Sequence, residues 1–136
     1  MTHPSYERLR PVLPQAAVVL QSNPGPMTLD GTNTWLLRAP GAAETIVVDP
    51  GESDAGHVDA VLAAAGEVAL VLITHGHHDH TGAAPALHGA TGAPVRALDP
   101  QHCHGGGAPL ADGEVLSAAG VRVRVLGTPG HTADSV

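Results

Sequence analysis

Phenylalanine and lysine are absent from this 136-residue chain, and cysteine, tryptophan and tyrosine occur once each. With Tyr6 and Trp35 as the whole Phe/Trp/Tyr complement, a hydrophobic core has to be assembled from Val, Leu, Ile and Ala. The single cysteine, Cys103, rules out an internal disulfide and fits a reducing compartment. All six basic residues are arginine, and thirteen acids leave a formal charge of −7. That balance excludes a broad basic nucleic-acid surface. It leaves room for a narrow site in which metal ions supply the positive charge. No apolar run approaches the roughly 20 residues of a membrane span. The N-terminus, Met1-Thr2-His3-Pro4-Ser5-Tyr6-Glu7-Arg8, is polar and has no signal-peptide pattern. The expectation is a soluble, cytoplasmic protein without membrane contact.

Glycine and proline are plentiful, yet together they stay below the roughly 25–30 % share that marks low-complexity chains. Regularly spaced apolar runs point instead to many short loops. The length suits one domain with a modest core, and no linker or internal repeat divides it. Residues 1–15 read as an extended arm. Strands are expected at Ala16–Leu20, Thr32–Arg38 and Thr45–Val48, the last two paired antiparallel across the turn Ala39-Pro40-Gly41-Ala42. A helix over about residues 55–65 can be capped by Ser53 or Asp54 and stopped by Gly66. Val68–Ile73 is a near-continuous apolar strand, the mark of a strand covered on both faces in a layered α/β arrangement. A short helix over Ala83–Gly89, a strand over Pro94–Leu98 and a hairpin of Glu114–Ala118 with Val121–Leu126 complete the expectation. Asp99–Pro109, with His102-Cys103-His104 and three glycines, reads as a mobile solvated turn near a cleft mouth. His3, His57 and His88 are expected at the surface.

Directly after the apolar strand comes Thr74-His75-Gly76-His77-His78-Asp79-His80-Thr81-Gly82, with four histidines and an aspartate in six positions. Imidazole and carboxylate at that density suit a borderline metal such as zinc. In an extended segment alternate side chains share a side, so His75, His77 and Asp79 point one way. A helix opening near Gly82 would turn His80 back towards the same cleft. His78, between the ligand candidates, faces away. A solvated histidine-rich loop is the bland alternative, and it is hard to reconcile with a position at the end of a buried strand.

The pattern His75-x-His77-x-Asp79-His80 after a hydrophobic strand resembles the metallo-β-lactamase-fold hydrolases. Two further stretches carry the likeness: Gly130-His131-Thr132-Ala133-Asp134-Ser135 after a strand, and Val47-Val48-Asp49-Pro50-Gly51 ending one. Gly31-Thr32-Asn33-Thr34-Trp35-Leu36-Leu37 is similar to the branch around β-lactamase-like protein 2. The resemblance implies an α/β fold, an αββα sandwich of two similar halves. Residues 1–136 would supply mainly the first half, as a single domain incomplete at its C-terminus. It also implies two zinc ions. His75, His77 and His131 would hold the first, a complete site with an open fourth position. Asp79 and His80 would share the second with a bridging aspartate and a final histidine, which have no counterpart up to Val136. Asp134 stands too close to His131 to be the expected bridge, and is left open only as a substitute for it. Asp49 either accepts hydrogen bonds from the metal loop or a ligand imidazole, or simply stops a strand before an ordinary Pro-Gly turn.

The expected activity is hydrolysis of an ester, thioester or phosphodiester by a metal-bound hydroxide. Metal binding takes the pKa of water from about 15.7 to about 7, and Asp79 would orient the nucleophile. The resemblance allows a small thioester or ester, or single-stranded RNA, as substrate. Two other readings remain open here: an iron-dependent oxygenase like the persulfide dioxygenases, since the same ligands suit iron, and a catalytically incomplete metal-binding module. A sheet face left uncovered would favour association into a homo-oligomer.

Overall fold

A computed structural model describes residues 3–136; Met1 and Thr2, with which the polar N-terminus begins, lie outside the described residues. Six strands form one mixed sheet in sequence order: β1 (Leu9–Leu13), β2 (Ala16–Leu20), β3 (Asn33–Leu37), β4 (Glu44–Val48), β5 (Glu67–Leu72) and β6 (Val95–Arg96). The first four pair antiparallel, β2 and β3 across the longer segment 21–32. β4, β5 and β6 run parallel, which requires crossover connections. Those connections are α1 (Ala55–Ala65) and, after a one-turn helix α2 (His78–Thr81), α3 (Ala84–Thr91). A hairpin of β7 (Val115–Ala118) and β8 (Val121–Arg124) makes a second sheet. The class is α/β, as the sequence suggests.

Alternation along the central strands sorts the core into two clusters. Val47, Val71 and Ile73 face α1 and α3, meeting Val61, Ala65 and Leu87. Ile46, Leu70 and Leu72 face the other way, against Leu110, Leu116 and Val125 around the β7–β8 hairpin. Both faces of β5 are therefore covered, which explains its unbroken apolar sequence. The hairpin covers only part of its face. A groove of about 280 Å³ stays open there, lined among others by Trp35, Leu37, Val123 and Leu126.

Helix α1 begins where the Asp54 carboxylate accepts the His57 amide at 2.9 Å. It ends at Gly66, whose φ of 67° costs glycine little. Four expectations need correcting. The N-terminal arm is not free: residues 9–13 pair with β2 as an edge strand. The 99–109 segment is anchored, by a 3-10 turn at Pro100–His102, a bridge between His104 and Val95, and Cys103 packed against the core. His57 is fully buried. His88 is half-buried, its Nδ1 2.7 Å from the Ala93 carbonyl oxygen. No helix among the described residues is long and apolar enough to cross a membrane.

Candidate metal centre

The apolar strand β5 delivers its C-terminal end, and the chain then leaves the sheet through Thr74 to His77. His77 opens α2, its carbonyl accepting the His80 and Thr81 amides at 2.9 and 3.1 Å. That single turn rotates His80 back beside His75, with ring centroids 4.2 Å apart. From the far side, the loop after β8 brings His131 in. Its Nε2 lies 3.0 Å from His77 Nδ1. Val136 ties this loop to the metal-type loop, its amide donating to the Thr74 carbonyl at 2.9 Å. Five candidate residues thus converge: His75, His77 and His131 form one group with ligand atoms within 4.8 Å of one another, and Asp49, His75 and His80 form another. Asp79 stands beside the second group, its Oδ2 3.2 Å from His80 Nε2.

Asp49 orders the loop. Its carboxylate accepts the Thr74 amide at 2.8 Å, the Thr74 hydroxyl at 2.6 Å and His80 Nδ1–H at 2.8 Å. Its backbone sits at φ 56°, in the left-handed region where a non-glycine residue carries about 1 kcal/mol of strain. Thr34 Oγ1 donates to the Asp49 carbonyl at 2.7 Å and the Asp49 amide to the Leu72 carbonyl at 2.9 Å, which holds it there.

Proton counting then fixes the state of His75. Thr74 has one hydroxyl proton, and Asp49, acceptor-only when ionised, takes it. The contact of Thr74 Oγ1 with His75 Nδ1 at 3.0 Å must therefore use a proton on Nδ1. In a neutral ring that leaves the lone pair on Nε2, which is buried and has no hydrogen-bond partner. Burial, followed by the neighbouring His80, pushes the His75 pKa below 6.5, a shift that favours the neutral ring. A buried, unpartnered imidazole lone pair facing two more imidazoles is what a zinc-type ion requires, so the residues fit such an ion. His80 behaves differently. Burial would lower its pKa, but the hydrogen bond to Asp49 and the charges of Asp49 and Asp79 outweigh that and raise it above 6.5.

Two residues near the centre had no assigned role in the sequence reading. His102 packs on Gly76, its Nε2 2.5 Å from where a Cβ on that glycine would stand. With Asp99 and Asp134 it forms a third His/Asp group. Thr32 donates its hydroxyl to the Asp79 carbonyl at 2.9 Å, joining the start of β3 to α2. Asp134 has its pKa lowered: burial opposes this, but bonds from Thr132 and from the Gly76 amide prevail. His78 is exposed and packs on Gly82.

The mixed sheet has a helix layer on one face and a histidine cluster at the end of its interior strand β5, and the chain belongs to the metallo-beta-lactamase superfamily, whose sequence profile matches residues 27–136. Among characterised relatives, an atrochrysone carboxyl ACP thioesterase of Aspergillus fumigatus is 36% identical over 89% of this chain and 40% of its own length. The beta-lactamase-like protein 2 homologue of Drosophila melanogaster is 34% identical over 87% of this chain and 46% of its own. The chain thus spans less than half the length of these two relatives. Among solved structures, the metallo-beta-lactamase SMB-1 bound to 2-mercaptoethanesulfonate superposes with a TM-score of 0.72 at 23% identity, over 96% of this chain and 57% of that one. That likeness concerns the fold.

Proposed function

We propose that this chain carries the first metal site of a zinc-dependent hydrolase acting on a thioester or related ester. The observation that carries the reading is the bare, buried Nε2 of His75 beside His77 and His131. These three imidazoles would hold the ion, with His80 and Asp79 as the second cluster and Asp49 orienting the loop behind them. A bound divalent ion supplies Lewis acidity and acidifies water towards neutral pH. The chain's own contribution is to present His75 in a fixed tautomer. Thr74 and Asp49 keep the His75 proton on Nδ1. Asp79, paired with His80 Nε2, would accept and pass on a proton. Of the substrate classes, thioesters are favoured by the name of the thioesterase relative, and single-stranded RNA is disfavoured by the charge of −7.

Native mass spectrometry reads chain mass and metal content together. Zinc retained by the purified chain and lost in His77→Ala and His131→Ala, with acyl-thioester hydrolysis that follows the zinc content, supports the proposal. Zinc uptake indifferent to both substitutions would sink it.

A further inference from the structure

We infer that Glu7 and the buried His57 form a proton-holding pair that positions the candidate metal centre through Thr34 and Asp49. The inference rests on the metal reading of the centre given above. His57 lies on the inner face of α1 with Val61 and Ala65, fully buried. Its Nδ1 is 2.6 Å from Glu7 Oε2, and its Nε2 is 2.9 Å from Thr34 Oγ1. Thr34 Oγ1 in turn is 2.7 Å from the Asp49 carbonyl oxygen.

The donors and acceptors along this chain admit one arrangement. A carbonyl oxygen only accepts, so the single Thr34 hydroxyl proton goes to Asp49. Thr34 must then accept from His57, which requires a proton on Nε2. The Nδ1–Glu7 contact needs a second proton. Ring and carboxyl together therefore hold two protons, as imidazolium with carboxylate or as neutral imidazole with carboxylic acid. In both forms the pair is neutral overall, the form that burial tolerates. The other Glu7 oxygen accepts the Ser22 amide at 2.8 Å, and the Glu7 amide donates to the Leu20 carbonyl at 2.9 Å. The N-terminal segment is thus locked onto β2.

What the pair steadies is the turn from which the metal loop is held. Asp49 has φ 56° and Gly51 has φ 91°, so the Asp49-Pro50-Gly51 backbone keeps its shape only while its polar groups are pinned. The His57 ring packs on this turn, its Cδ2 3.1 Å from where a Gly51 Cβ would stand. Gln21 closes the turn on the other side, accepting the Glu52 amide at 2.9 Å and donating to the Glu52 carbonyl at 3.1 Å. A rotation of Asp49 would swing the carboxylate that orients Thr74, His75 and His80. Glu7, His57 and Thr34 are accordingly positioning residues, not ligands.

Cobalt(II) is the probe, because its visible bands report coordination geometry. In Thr34→Val the hydroxyl is lost with little change in shape; in Thr34→Ser it is kept. Cobalt affinity is expected to fall about tenfold in Thr34→Val, with altered bands, and to stay within about twofold of the parent in Thr34→Ser. Glu7→Gln should weaken binding in the same direction. Side-chain nitrogen NMR of the metal-free chain should find a proton on His57 Nε2. A bare Nε2, or Thr34→Val with the parent's affinity and spectrum, would overturn the inference. A variant that unfolds is distinguished by its melting curve, and the NMR result on the parent chain then decides. Cobalt uptake unchanged in His77→Ala would overturn the metal reading itself, an outcome Thr34→Val cannot mimic.

Discussion

Asp49 accepts three hydrogen bonds with its carboxylate while its own backbone is held at φ 56°. Replacing it by asparagine keeps the shape but turns one oxygen into a donor that faces other donors. Asp49→Asn is expected to weaken zinc binding by about 10–100-fold. It should also cost about 1–3 kcal/mol of stability, as buried donors lose their acceptor. Competition with a chromophoric chelator and urea unfolding measure the two effects separately. His80 makes a second residue-scale prediction. Its pKa is raised above 6.5 in the fold, through Asp49 and Asp79 and against burial. The folded chain then binds that proton more tightly than the unfolded chain does. The contribution is full below about pH 6.5 and is lost as pH rises through the raised value. His75, shifted downward, acts oppositely and costs stability as pH falls below about 6.5. In metal-free protein, the loss of stability between about pH 6 and pH 8 should be steeper in the parent than in His80→Gln. Parallel urea-midpoint profiles for the two proteins would refute the assignment.

At the scale of elements, the candidate metal loop depends on close packing at Gly76. A Cβ there would meet His102 Nε2 at 2.5 Å and Asp134 Oδ2 at 3.1 Å. Gly76→Ala should therefore displace the His102 ring and the loop, costing about 1 kcal/mol or more and weakening zinc uptake. Adding His102→Ala should recover most of the loss, a coupling that thermal unfolding of the four-member cycle reads directly. His102 could not have been tied to Gly76 from the sequence, because the contact crosses β6 and a 3-10 turn. Helix α1, by contrast, was legible to its ends, since Asp54 and Gly66 are local signals. The same helix hid its most informative residue. His57, Val61 and Ala65 recur at four-residue spacing along its inner face. That period could have revealed the buried histidine, had the residue type not suggested the surface. β1 was illegible for a different reason. All five of its residues are exposed, and Pro11 lies within it, so no apolar alternation marks it. Edge position permits both.

For the whole molecule, the consequential fact is that the candidate ligands come from two layers. His75 and His77 follow β5 of the large sheet, whereas His131 follows β8 of the hairpin sheet. Residues 126–131 are exposed throughout. The tail returns to the large sheet through Val136 on Thr74, and the hairpin through the apolar cluster around Leu72, Leu116 and Val125. An ion held by all three imidazoles would cross-link the layers, and its binding free energy would appear as folding free energy, because the unfolded chain cannot assemble the three rings. Free zinc at about 100 times its dissociation constant should then stabilise the chain by about 2.7 kcal/mol. A chelator should reverse the rise in melting temperature. His131→Ala should abolish most of it, although that side chain is exposed and its loss costs the metal-free fold little. Limited proteolysis supplies the spatial half of the test. Cleavage within residues 126–131 should slow on zinc addition in the parent and not in His131→Ala. If zinc raised both melting temperatures equally and left the loop as cleavable as before, the ion would be binding within one layer, and His131 would have no part in holding it.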